Sequence, residues 1–215
     1  METITFGPAP GIFRATTAFS TKYVFITQRG GELADRGLYE QAVSAFTEAI
    51  QESPNFWQAY YNRGIAYAHQ SQPDLALADF GQVIELAKPY PATLANALHN
   101  RGIVYTQKGQ YELALADFNQ ILKLKAATER GSWAPPVIMR GSEIQSQTGS
   151  KQNPEDPDAY YMRGVVYLKQ GRIDRALPDF TKAVELDAHF AKAYGNRGVA
   201  YAMQGQMDPA LRDLN

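Results

Sequence analysis

One eight-residue phrase recurs along this chain and limits what it can fold into. Tyr60-Tyr61-Asn62-Arg63-Gly64-Ile65-Ala66-Tyr67 returns over 98–105, 160–167 and 194–201, each time with Arg-Gly at its centre and Tyr at its end. Each copy is followed by an Ala and then by an Asp-Phe or Asp-Leu pair: Ala76 with Asp79-Phe80, Ala114 with Asp117-Phe118, Ala176 with Asp179-Phe180, Ala210 with Asp213-Leu214. Self-similarity of this kind marks units that cannot bury an apolar face alone and do so by stacking on their neighbours. The chain is therefore read as an array.

Two independent series set the register. The glycines Gly30, Gly64, Gly102, Gly164 and Gly198 are spaced by 34, 38, 62 and 34 residues, and Phe46, Phe80, Phe118 and Phe180 by 34, 38 and 62. They define units at 23–56, 57–90, 95–128 and 157–190 and an incomplete fifth at 191–215, with an arm at 1–22 and an insertion at 129–156. Within a unit, Tyr60, Gly64 and Tyr67 share one stripe of a 3.6-residue period, and Ala76, Phe80 and Val83 share another, so each unit reads as two helices. Gly37, Gly109, Gly171 and Gly205 fall between the two, where a left-handed residue turns the chain. The arm carries Gly7-Pro8-Ala9-Pro10-Gly11 and then scattered Thr and Ser, and is expected to be loose.

Charged side chains recur in phase with the glycines. Arg29, Arg63, Arg101, Arg163 and Arg197 each precede a register glycine, and Asp79, Asp117, Asp179 and Asp213 follow their arginine by sixteen residues, on the helix that packs back against it. Unit one has Ala45 at that place. The expectation is an ordered, partly buried ion pair rather than an anion-binding ladder.

These motifs resemble the tetratricopeptide repeat family, whose 34-residue helix-turn-helix has a bulky residue at the fourth place, Gly or Ala at the eighth, an aromatic at the eleventh, Ala at the twentieth and an aromatic at the twenty-fourth. Unit two supplies Tyr60, Gly64, Tyr67, Ala76 and Phe80, and unit four Tyr160, Gly164, Tyr167, Ala176 and Phe180. Unit one departs early (Ile26, Gly30, Leu33) but keeps Ala42 and Phe46. The resemblance implies an all-α, right-handed superhelical solenoid of antiparallel helix pairs. It implies a non-enzymatic scaffold for protein–protein interaction, binding a peptide or protein segment in a concave groove lined by the first helices. The alternative is the regulatory or substrate-recruiting array of a larger enzyme.

Carried over place by place, the resemblance puts Gln58, Tyr61, Asn62, Ile65 and His69 of unit two on the groove, with Asn96, His99, Asn100, Ile103 and Gln107 of unit three. Asp158, Tyr161, Val165 and Lys169 follow in unit four, and Lys192, Asn196 and Val199 in unit five. Asn62, Asn100 and Asn196 would hold a ligand backbone through paired donor and acceptor. Tyr61 and Tyr161 would offer flat apolar area. The lysines and asparagines that some family members use to grip a chaperone's acidic C-terminus are mostly absent, so a chaperone cofactor is not expected.

Composition removes several other classes. Net charge is −1, which gives no basic field for nucleic acid or an anionic membrane. There is no cysteine, and the three histidines His69, His99 and His189 are scattered, so neither a metal, another cofactor nor a catalytic constellation is expected. No basic, apolar leader or membrane-length apolar run is seen, which makes the cytoplasm the default location. The insertion 129–156 carries Trp133, Val137, Ile138 and Met139; it reads either as a disordered loop or as one whose apolar patch folds against the groove or a partner. Unit five stops partway through its second helix, so that end is expected either to belong to a longer array or to self-associate.

Overall fold

The computed structural model describes residues 12–88, 90–127 and 156–214, and these residues form ten helices and no strand. They pair in order: α1 (Ile12–Asp35) with α2 (Tyr39–Glu52), α3 (Trp57–His69) with α4 (Pro73–Leu86), α5 (Pro91–Gln107) with α6 (Tyr111–Ala127). Then α7 (Pro157–Lys169) pairs with α8 (Ile173–Leu186), and α9 (Ala191–Met203) with α10 (Met207–Leu214). Each second helix packs on its own first helix and on the first helix of the next unit. Successive first helices also touch one another, whereas successive second helices do not. This is a solenoid with the first helices on the inner side.

The turn between helices needs the left-handed backbone that the sequence implied. Gly37, Gly109, Gly171 and Gly205 have φ between 71° and 77°. Unit two uses Ser71 at the same place, with φ 57°. The four extra residues of unit three lengthen α5 at its start, where Pro91 occupies a first-turn position that needs no amide donor.

The arm is shorter than its composition implied. Helix α1 begins at Ile12, because the Gly and Pro punctuation ends at Gly11 and neither residue recurs until Gly30. The intervening Thr and Ser are only mildly poor helix formers. Helix α8 continues through Pro178, which is exposed.

The packing rests on one repeated contact. Phe46, Phe80, Phe118 and Phe180 are fully buried, as are Ala42, Ala76, Ala114 and Ala176. Each ring lies against the glycine of the partner helix, so closely that an added Cβ would stand 3.0 Å from Phe80 at Gly64, 2.8 Å from Phe118 at Gly102 and 2.8 Å from Phe180 at Gly164. At Gly198 the neighbour is Leu214 instead.

That contact distinguishes two glycines of the same unit. Gly64→Ala would force Phe80 or its helix to shift and is expected to cost about 1–3 kcal/mol. Gly81→Ala, inside α4 with nothing within 4 Å, is expected to stabilise by up to about 1 kcal/mol through helix propensity. Urea denaturation of the two variants measures both signs; similar midpoints would refute the contact as the determinant.

Candidate functional site

The inner face was expected to carry a continuous ligand-facing stripe. The structure divides that stripe in two. Tyr61, Asn62, Ile65 and Asn100 are at most 2% exposed and belong to the packing between units. Gln58, His69, Asn96, His99, Ile103, Asp158, Tyr161, Val165 and Asn196 are partly exposed, and Gln107, Lys169, Lys192 and Val199 are exposed. Trp133, Val137, Ile138 and Met139 lie outside the described residues.

Two of the three asparagines assigned to a ligand, Asn100 and Asn196, fasten the array instead. Asn100 Nδ2 donates to Tyr61 Oη at 2.9 Å, and Asn196 Nδ2 donates to Tyr161 Oη at 3.0 Å, each bond joining one first helix to the next. The same tyrosines pack on their own unit's phenylalanine, Tyr61 edge-on to Phe80 at 6.0 Å and Tyr161 tilted on Phe180 at 6.1 Å. His99 occupies that place in unit three, edge-on to Phe118 at 6.1 Å. The fifth place is thus drawn inward by the ring beneath it, and the sixth by the hydroxyl beside it. Asn62 faces a unit whose fifth place is Thr27, and its Oδ1 meets no donor among the described residues. Thr27 donates to the Tyr23 carbonyl instead.

The arginines pair as their spacing implied. Arg63, Arg101, Arg163 and Arg197 each grip their aspartate with two parallel bonds, Nε to Oδ2 and Nη2 to Oδ1, at 2.6–2.8 Å. Burial pushes the carboxyls of Asp79 and Asp117 up, while Arg63 and Arg101 pull them back down. Their own hydrogen bonds to the aspartates hold these guanidiniums above the ordinary range. Burial is the larger influence, so both carboxyls end above their ordinary range, while the two parallel charge-assisted bonds hold each Arg–Asp couple in ion-pair geometry. Tyrosine rings complete the seat: Arg63 lies 5.6 and 5.7 Å from the centroids of Tyr60 and Tyr67. Two of these arginines reach the preceding unit too, Arg63 Nη1 donating to Thr47 and Arg163 Nη1 to Asn119. Arg29, without an aspartate, is exposed.

His69 is also drawn into packing. Its ring stacks on Tyr39 of the preceding unit, 4.6 Å between centroids and 3° from parallel, and burial lowers its pKa below the ordinary 6.5. The ninth and thirteenth places of units three and four, Ile103 with Gln107 and Val165 with Lys169, are open or partly open on the inner side and are continued by Val199, with exposed Lys192 at the second place of unit five. Such a surface offers an apolar row with polar rims. It presents no nucleophile–base pair, and the described residues contain no cluster of three His, Asp or Glu side chains able to hold a metal. No described helix is long and apolar enough to cross a membrane.

Comparison with known proteins agrees with this geometry. The tetratricopeptide repeat profile matches residues 58–127 and again 157–190. The chain is 33% identical over 72 residues to tetratricopeptide repeat protein 36 of Caenorhabditis elegans, covering 34% of this chain and 40% of that protein. It is 24% identical over 167 residues to human tetratricopeptide repeat protein 13, covering 75% of this chain and 19% of that one. The chain thus spans less than half the length of the curated relatives it matches. Among solved structures, MamA from Desulfovibrio magneticus RS-1 superposes with a TM-score of 0.68 at 21% identity, over 91% of each chain. YrrB, described as a TPR protein with an unusual peptide-binding site, does so with a TM-score of 0.61 at 20% identity, over 96% of this chain and 90% of that one.

Two measurements test the reassigned residues. Tyr61→Phe leaves the buried Asn100 amide without its acceptor and is expected to cost about 1–2 kcal/mol. Tyr161→Phe should cost less, since water can reach the half-buried Asn196; equal losses in urea denaturation would contradict this difference in burial. For His69, the unfolded chain takes up the proton first as pH falls through about 6.5. Stability should therefore drop below that pH, by an amount that His69→Gln removes. An unchanged pH slope in that variant would rule out the coupling.

Proposed function

We propose that this chain, which belongs to the tetratricopeptide repeat family, is an interaction scaffold that holds an extended protein segment along the inner face of units three to five. The observation that carries the reading is the row Ile103, Val165 and Val199. These residues occupy the same place in successive first helices; Val199 is exposed and Ile103 and Val165 are partly exposed, while the equivalent Ile65 is 1% exposed. β-Branched residues on a shallow inner surface suit the alternate side chains of an extended peptide. Gln107, Lys169 and Lys192 supply hydrogen bonds and charge at the rim. A protein segment fits better than RNA. Net charge is −1, and the four repeat arginines that face aspartates are already neutralised, which leaves no basic stripe to track a phosphate backbone.

The test is selection of peptides from a random displayed library on the whole chain, followed by titration of the enriched peptides. Ile103→Glu with Val165→Glu is expected to weaken them at least tenfold, with far-ultraviolet circular dichroism unchanged. Peptides that bind the double variant as tightly as the parent would overturn the inner-face reading.

A further inference from the structure

Four of the arginines stacked on tyrosine in this array also hold an aspartate. Two others do not. Arg172 and Arg175 both lie over the ring of Tyr167, their guanidinium carbons 5.1 and 5.9 Å from its centroid. Neither has a carboxylate partner among the described residues. Arg172 is steadied by a 3.3 Å bond from Nη1 to Gln170 Oε1, and Gln170 Nε2 in turn donates to Glu112 of the preceding unit at 3.0 Å. Arg175 is exposed.

The register shows that the fold does not require this pair. The places of Arg172 and Arg175 are Gln72 and Leu75 in unit two, Gln110 and Leu113 in unit three, and Gln206 and Pro209 in unit five. Arg172 also stands at a register place that lines a hollow at another junction. Between units one and two, Glu40, Val43, Tyr67, Gln70 and Gln72 line an open cavity of about 450 Å³. The corresponding residues between units three and four are Glu112, Leu115, Tyr167, Gln170 and Arg172, so an arginine stands where the first hollow has a glutamine.

We infer that Arg172 and Arg175 form a docking site for a phosphorylated side chain of a partner protein, separate from the inner face. Two guanidiniums held against one ring repel each other, and a group placed between them with two negative charges relieves that repulsion. Elsewhere in this chain one carboxylate balances one arginine, four times over. A pair without an aspartate therefore matches a phosphate monoester, which carries about 1.5 to 2 negative charges and three acceptor oxygens. The carboxylates on this edge are Glu112, engaged by Gln170, and the exposed Asp174. Leu113, 49% exposed at the place that Arg175 takes one unit later, offers apolar surface to residues flanking the phosphate.

The experiment uses the whole chain and three fluorescein-labelled peptides that differ at one position: Leu-Leu-Gly-pSer-Gly-Gly, the same sequence with Ser, and the same with Glu. Fluorescence anisotropy at 150 mM salt should show the phosphopeptide binding at least tenfold tighter than either twin. Arg172→Gln with Arg175→Leu, the residues that units two and three carry at these places, should abolish that preference. Arg36→Gln, at a lone exposed arginine, should leave it unchanged. Ile103→Glu with Val165→Glu should also leave it unchanged, which separates this site from the inner-face reading. Equal affinity for the phosphoserine and glutamate peptides, or a preference that survives the double arginine replacement, would overturn the site. Displacement of the phosphopeptide by phosphatidylserine vesicles or single-stranded RNA at lower concentration than by unlabelled phosphopeptide would also overturn it.

Discussion

In units one to four, each helix pair closes on a glycine beneath a phenylalanine ring, with no room for a β-carbon between them. The two residues that precede this contact in sequence meet as a consequence. Arg63 stands before Gly64 and Asp79 before Phe80, so seating the ring on the glycine brings guanidinium and carboxylate into register. The apolar contact and the ion pair are two halves of one docking event. The array itself shows that they are separable. Unit one keeps the apolar half, Gly30 on Phe46, and has Ala45 where the aspartate would be. Unit five keeps the ionic half, Arg197 on Asp213, and substitutes Leu214 for the ring. Close approach of the helices is the shared requirement, and it needs the small residue in every case.

Joining one unit to the next is a different problem, solved by whichever polar group lies within reach. Arg63 and Arg163 use a third donor to reach Thr47 and Asn119, each just after the phenylalanine of the preceding unit. At the corresponding place before Arg101 the residue is Gly81, which has no side chain to accept the bond. That junction is held instead by Asn100 on Tyr61 and by Lys108 on Asp74 at 2.5 Å. The first junction adds the stack of Tyr39 on His69. A polar residue bridging two stacked helices is thus needed at each of these junctions, while its identity is free to vary. Buried amides gain from such bonds chiefly because leaving them unmade is costly.

This difference explains what could be read from the residues alone. The period, the helix pairs, the turn glycines and the Arg–Asp pairs were legible because they depend on places that at least four of the five units repeat. Helix α1 starts some ten residues before the arm's expected end, since Thr and Ser are only mildly poor helix formers and do not by themselves stop a helix. The larger error concerned Tyr61, Asn62, Ile65 and Asn100. A stripe drawn on one helix treats the inner side as open, but successive first helices touch, and each covers part of its neighbour's stripe. Tyr61 gives no local sign that its hydroxyl will meet Asn100, thirty-nine residues away. One signal was available and unused: asparagine at the sixth place of units three and five coincides with tyrosine at the fifth place of units two and four, and both are absent where His99 meets Met162.

Charge follows the same division between repeated and variable places. The arginines and aspartates that recur cancel in pairs, so the fold-forming residues contribute almost no net field to the surface. Any electrostatic selectivity must come from residues that differ between units, such as Lys169, Arg172, Arg175 and Lys192. The small buried residues behave alike: Ala59 and Ala66, Ala97 and Val104, Ala159 and Val166, and Ala193 and Ala200 are at most 1% exposed at the third and tenth places. Unit one has Phe25, 71% exposed, and Glu32, also exposed, at those two places. A solenoid whose repeated residues are neutral and buried leaves recognition to the exceptions, which are few enough here to be tested singly.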